Sequence, residues 1–246
     1  MPLHYLSQLT DTPRTVRADL HMGVLLAAVA GALNAGGFLA VGQYTSHMTG
    51  MVSMFADQVV LHDMELAVVA LVSWLAFLAG AACTAIVVNH SQRHGIQNIY
   101  ARPVLIEAAC VLVFGSFGGT LKTHEFADVS VAVIVLCFAM GLQNALITKI
   151  SNAAIRTTHV TGLTTDLGIE LGKLFYWNRN AQTVDRGRVV ANRSKMRVHA
   201  LLIAAFLFGG VSGALGFKHL GFVSTVPLAL VLGVVALAPG LRNKHA

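Results

Sequence analysis

Long apolar runs joined by short polar stretches dominate the chain. They cover 22–43, 66–88, 103–120, 129–148, 199–217 and 221–240, each near the roughly 20 residues with which an α-helix crosses a bilayer. Two further stretches, 46–62 and 157–176, are mixed: apolar, but interrupted by Thr, His, Asp and Gly. They are too polar for simple spans and too apolar for solvent loops. The pattern predicts an all-α, polytopic membrane protein with about six transmembrane helices. Each mixed stretch is then a broken or re-entrant segment or lies along the interface, since irregular backbone at membrane depth survives only in protein or beside a wet cavity.

Composition strengthens this reading. Of 246 residues 55% are hydrophobic and 11% charged, where a soluble domain carries roughly 25% charged residues. The mean hydropathy is +0.68. These values exclude a disordered chain, a collagen-like chain and a disulfide scaffold, and they argue against a water-soluble globule. The formal charge of +6 does not point to nucleic acid, because the basic residues sit between apolar runs instead of forming one patch.

Their placement follows the positive-inside rule. Arg14 and Arg17 precede the first run, and Arg93 and Arg102 flank the turn between the second and third. Lys173, Arg179, Arg186, Arg188, Arg193, Lys195 and Arg197 crowd one loop, and Arg242 and Lys244 the tail. Asp63, Glu65, Glu125 and Asp128 mark the opposite side, with Lys122 and Lys218 as exceptions in short outer turns. Six spans with both termini cytoplasmic satisfy this distribution. The polar segment 1–20 and Asn34 within the first run argue against a cleaved signal peptide. Cys83, Cys110 and Cys137 each stand alone in apolar runs and read as small core residues.

The chain also echoes itself. Gly31-Ala-Leu-Asn34-Ala35 returns as Gly141-Leu-Gln-Asn144-Ala145, and Ser46-His47-Met48-Thr49-Gly50 returns as Thr158-His159-Val160-Thr161-Gly162. Further on, Phe77-Leu78-Ala79-Gly80 matches Phe206-Leu207-Phe208-Gly209, and Pro103 matches Pro227. This reads as one integral membrane domain: a cytoplasmic segment 1–20, a three-helix repeat over 21–121, and a second over 128–240 with a basic cytoplasmic loop at 177–198. An odd number of spans per repeat turns the second upside down, as in many secondary transporters.

The pair Asn34…Ser46-His47-Met48-Thr49-Gly50 and Gln143-Asn144-Ala145…Arg156-Thr157-Thr158-His159-Val160-Thr161-Gly162 resembles the signature of the YoaK-like family. The resemblance covers almost the whole chain; the long basic insertion at 178–197 departs from it. The family is one of small bacterial inner-membrane proteins carried as a domain of unknown function. The resemblance implies about six helices in a bacterial inner (plasma) membrane and no settled substrate.

The residues themselves suggest a site. Ser46, Thr49, Thr158 and Thr161 are good helix N-caps, and Gly50 and Gly162 allow backbone to approach a ligand closely. Half-helices starting there would aim N–H groups and positive dipole ends at one point, which suits an anion or carboxylate. His47 and His159 add hydrogen bonds or a titrating proton. The bland alternative, hydroxyls and imidazoles that merely satisfy kinked backbone, loses ground because two copies occur. Asn34 and Asn144 are expected to bond to the partner half's broken backbone or to the ligand. Asp57 and Asp166 are candidates for proton or ion coupling beside the histidines, and Arg156 for an anion vestibule. Glu107 reads as a local partner of Arg102 or Arg93, with proton coupling the lesser alternative.

Other motifs carry less. Met48, Met51 and Met54 with His47 and His62 resemble a soft-metal stripe, but the second repeat has no matching methionines, so no metal site and no cofactor is expected. Gly168 to Gly172 and Gly209 to Gly213 suit close helix packing or a homodimer seam. Gly210-Val211-Ser212-Gly213 resembles a rhomboid-type serine motif, yet the following span contains no histidine to serve as base. The chain therefore reads as a non-enzymatic secondary transporter of a small polar or anionic solute, with the lipid bilayer as its other partner. The alternatives are a passive channel, or a scaffold or sensor whose basic loop binds anionic lipid.

Overall fold

The computed structural model describes residues 9–10, 14–117, 126–177 and 188–242. Lys122, Glu125, Arg179, Arg186 and Lys244 lie outside them. The described elements are helical: α1 Val16–Val41, α2 Met48–Val60, α3 Met64–Arg93, α4 Ala101–Ser116, α5 Phe126–Ile150, α6 Val160–Phe175, α7 Arg193–Leu220 and α8 Thr225–Arg242, with a 3-10 turn at Gly221–Ser224 before α8. Six of these match the apolar runs, while α2 and α6 arise from the mixed stretches.

Polar residues set the boundaries. Thr15, Asp63 and Asn192 each cap a helix by accepting a backbone N–H, from Ala18, Leu66 and Lys195 respectively. Gly42, at φ 72°, ends α1 in the left-handed region, where glycine escapes the Cβ penalty. Two boundaries differ from expectation. Residues 16–20 of the N-terminal segment are already helical, and so are 193–198 of the basic loop, because the Thr15 and Asn192 caps start those helices early.

Four stretches are long and apolar enough to cross a membrane: Val16–Val41, Met64–Arg93, Val131–Ile150, and Arg193–Ala238, which joins α7 and α8. Many side chains on these helices point outward although apolar, including Leu75, Leu78 and Ile86 of α3 and Leu207, Phe208 and Val211 of α7. A surface of that kind suits hydrocarbon. α4, with 16 residues, has a rise of about 24 Å, short of a hydrocarbon core of roughly 30 Å.

Helix packing follows the sequence echo. α1 lies along α7 and α3 along α5, while α4 packs against α8. A Cβ on Gly31 would strike the Phe206 carbonyl of α7, and one on Gly141 would strike the Phe77 carbonyl of α3. Likewise Gly209 presses on Ala28 of α1, and Gly80 on Phe138 of α5. These are the motif glycines and phenylalanines matched in the sequence, and small residues allow just this backbone approach in a bilayer. The mixed helices obey the same exchange: α2 rests on α3, and α6 on α7.

Gly209 and Gly213 are therefore occupied by α1, which takes the packing alternative over the homodimer seam. Gly168 and Gly172 face open space. The core joins α1, α4, α5, α7 and α8 through Leu26, Leu33, Val104, Phe114, Leu136, Met140, Leu202 and Leu232. Glu107 lies in that core, fully buried, and among the described residues neither carboxylate oxygen has a hydrogen-bond partner. The expected pairing with Arg102 or Arg93 is not formed, because α4 turns Glu107 inward with Val104 and Val111 while Arg102 is exposed.

Candidate functional site

A cavity of about 520 Å³ opens where the two mixed segments meet. The polar lining is Asn34, Ser46, His47 and Thr49 from the first copy and Thr158, His159, Thr161 and Gly162 from the second. Tyr44, Met48, Phe77, Val160 and Phe206 complete the wall. Of the residues proposed from sequence, Gly50 and Asn144 stand behind the lining. Gly50 lies beneath the imidazole of His47, which a Cβ there would strike, so it seats the ring instead of admitting a ligand. Gly162 has open space around it.

Both mixed helices begin at the histidine. His47 is the N-cap of α2 and His159 of α6, and neither helix has a side-chain capping bond. The expectation that Ser46, Thr49, Thr158 and Thr161 cap these helices is thus corrected. Ser46 instead donates from Oγ (2.9 Å) and from its backbone N–H (3.2 Å) to Asn34 Oδ1. In the second copy Thr158 Oγ1 donates to Asn144 Oδ1 at 2.7 Å. Each asparagine therefore braces its own half's entry turn, not the partner half's backbone. The amide of Asn144 also donates to the Met140 carbonyl at 2.8 Å, so this nearly buried group is satisfied.

Hydrogen bonds also cross between the halves, from Thr84 Oγ1 to the Leu142 carbonyl at 3.0 Å, from Lys149 Nζ to Asn89 Oδ1 at 3.2 Å, and from Gln143. Its Nε2 donates to the Leu26 carbonyl of α1 at 2.6 Å and reaches Thr157 Oγ1 at 3.4 Å. The sequence reading gave this residue no role, although a glutamine beside Asn144 in an apolar run was the signal for it. The aromatic walls were missed too. Phe77 and Phe206 are the matched phenylalanines of the two similar sequence stretches, and that match could have placed them.

The electrostatics favour negative charge. Uncapped N-termini direct partial positive charge at the cavity. His159 holds its proton less tightly than an ordinary histidine, first because it is partly buried and then because the Arg156 guanidinium is near. At neutral pH its ring is uncharged, able to donate one hydrogen bond and accept another. The Arg156 part of that effect, positive charge near the ring, also favours an anionic ligand.

The remaining candidates are elsewhere. Asp57 is exposed near the end of α2. Asp166 is in contact with Lys195 Nζ at 3.1 Å and His199 Nε2 at 3.9 Å, tying α6 to α7. Neither aspartate lines the cavity. Arg156 is exposed and acts on the cavity through its charge on His159. Among the described residues no cluster of three His, Cys, Asp or Glu could hold a metal. Ser212 of the serine motif donates to the Gly209 carbonyl at 3.0 Å.

Helices of this length and outward apolarity, framing a polar cavity, define an α-helical membrane protein. Residues 22–238 match the model of the family described as "Protein of unknown function (DUF1275)", and the chain belongs to that family. It is similar to the UPF0700 transmembrane protein YoaK of Bacillus subtilis (strain 168), with 22% identity over 218 residues, 87% of this chain and 91% of the relative. No solved structure matches the chain.

Proposed function

We propose that this protein is a secondary transporter of a small anionic or polar solute and not an enzyme. One observation carries the reading: two sequence-related helix starts, His47 and His159, line one cavity with the adjoining hydroxyls. Paired interrupted helices in matching places of two halves are the usual pointer to a carrier site. The pairing of α1 with α7 and of α3 with α5 through counterpart glycines supports two inverted three-helix repeats with six crossings. Rocking of one repeat on the other would open the cavity to each side in turn.

Thr49, Thr161 and the first-turn N–H groups would hold the charged end of the solute, and Phe77 and Phe206 would enclose the remainder. The basic inner edges fit a bacterial inner membrane with both termini in the cytoplasm. A melting screen of purified protein against small carboxylates, phosphate and amino acids tests the site, since a ligand of the native state raises Tm. The hit is then followed in proteoliposomes. Saturable uptake with counterflow, lost in a His47→Ala/His159→Ala variant, is the expected result. Unsaturable conductance identifies a channel, and uptake unchanged in the double variant removes the site.

A further inference from the structure

Glu107 is not among the residues that line that cavity, and it has no hydrogen-bond partner among the described residues. Its side chain lies on the inward face of α4 with Val104, Ala108 and Val111, fully buried, and both oxygens lack hydrogen-bond partners. α4 packs against α8 and α5 and more lightly against α3. Over 225–238, α8 offers no titratable side chain, and over 131–148, α5 offers only Cys137. Cys110, one turn further along α4, is within electrostatic reach of both Glu107 and Cys83 of α3. His90 and Arg93 of α3, Arg102 of α4 and Lys149 of α5 lie at the ends of these helices. No ion pair joins any of them to Glu107 among the described residues.

A carboxylate in such a place is heavily penalised, whereas a carboxylic acid is tolerated. The sequence counterpart on α8, Val231, is exposed on the outer face, so the buried acid has no equivalent in the second half. An ionisable group kept inside a membrane bundle without a counter-charge is a functional group by default.

We propose that Glu107 is a reversible proton-binding site. Its carboxylate gains an O–H bond with a proton taken from water when α4 and α8 part, and that bond breaks when the proton returns to water. In the closed arrangement described here the acid is neutral and shielded. This deepens the transport reading, on which it rests for its role: it seats proton coupling at Glu107 and leaves His47 and His159 to the solute.

The test is chemical and needs no solute. The full chain in lipid vesicles is treated with dicyclohexylcarbodiimide, which adds to protonated carboxyls in apolar surroundings, and the peptide bearing Glu107 is read by mass spectrometry. The expected adduct falls at least about tenfold between about pH 5 and about pH 9, as an exchanging proton requires. It is absent in Glu107→Gln, whose Tm shows that the fold is intact. Should that variant not fold, Glu107→Asp replaces it and is expected to keep the adduct with a displaced midpoint. No adduct on the folded chain, or labelling level across that pH range, overturns the proposal. The His47→Ala/His159→Ala variant is expected to label like the parent, so loss of the cavity reading and loss of the proton site are told apart.

Discussion

α2 and α6 both start at a histidine, and both rest on the helix that follows them, yet they are tied down by different forces. Met51 of α2 enters a small apolar cluster with Val133 and Cys137 of α5. α6 adds polar ties to an apolar one: Leu163 enters the main core, Asp166 meets Lys195 and His199 of α7, and Glu170, paired within α6 to Lys173 Nζ at 2.8 Å, accepts from the Asn192 N–H at 2.7 Å. The entry turns differ as well. His47 lies over Gly50, while Gly162 is open and Arg156 adds charge beside His159. The halves share what faces the cavity and diverge in what anchors it. The second half therefore carries the titratable contacts, and pH can act on them.

The largest expected effect falls on the cavity. Removing both imidazoles is expected to weaken solute binding about a hundredfold, roughly 2.8 kcal/mol. Single substitutions sharpen the comparison. His159→Ala is expected to cost about tenfold and His47→Ala about threefold, because Arg156 adds positive charge beside the second ring. Equal losses, read by titration calorimetry with the hit from the melting screen, would remove the asymmetry.

Glycine substitutions come next. Gly209→Ala drives a methyl into the Ala28 carbonyl and is expected to cost about 1–3 kcal/mol, seen as a lower Tm. Gly168→Ala, in open space on α6, is expected to be neutral or to stabilise by up to about 1 kcal/mol. Within the site, Gly50→Ala should displace His47 and weaken binding, while Gly162→Ala should leave binding intact. If the two behave alike, the ring over Gly50 is not the difference that matters.

Much of this was legible before any coordinates. The apolar runs became helices because roughly 20 apolar residues have few other stable arrangements. The Ser/Thr-His-x-Thr-Gly copies meet at the cavity, and they were legible because they interrupt otherwise apolar sequence in two matching places. What stayed hidden depended on rotation and return paths. Spacing placed Glu107 one turn from Arg102, but whether α4 turns it to the surface or the core follows from packing on α8 and α5. Asn34 could equally face its own half or the other, and only the tight turn at Gly42 brings Ser46 back to it.

Acid should separate the two anchors by a smaller effect. Glu170 holds its proton less tightly than an ordinary carboxyl, chiefly through the hydrogen bonds from Lys173 and Asn192. Its folded value is below the unfolded one, so its contribution is complete at neutral pH and is lost as pH falls through the folded value. Protection of the α6 amides, taken relative to the intrinsic exchange rate at each pH, should fall below the usual carboxylate range while that of α2 stays constant. Glu170→Gln should remove that dependence, and parallel changes in both helices would show that the anchors act as one.

The smallest effect tests the Gln143 bond across the halves. Leu33 occupies in the first half the place that Gln143 holds in the second, so Gln143→Leu makes the halves alike. It removes the bond to the Leu26 carbonyl, and interhelical hydrogen bonds in membranes average only about 0.6 kcal/mol. It also removes Gln143 Oε1, which is buried without a partner, and that relief opposes the loss. The variant is therefore expected to melt within a degree or two of the parent, whereas Gln143→Ala, which adds a cavity, melts clearly lower. A normal Tm combined with slower uptake in Gln143→Leu would place this bond in the motion of one half on the other, because a purely structural tie cannot change rate while leaving stability untouched.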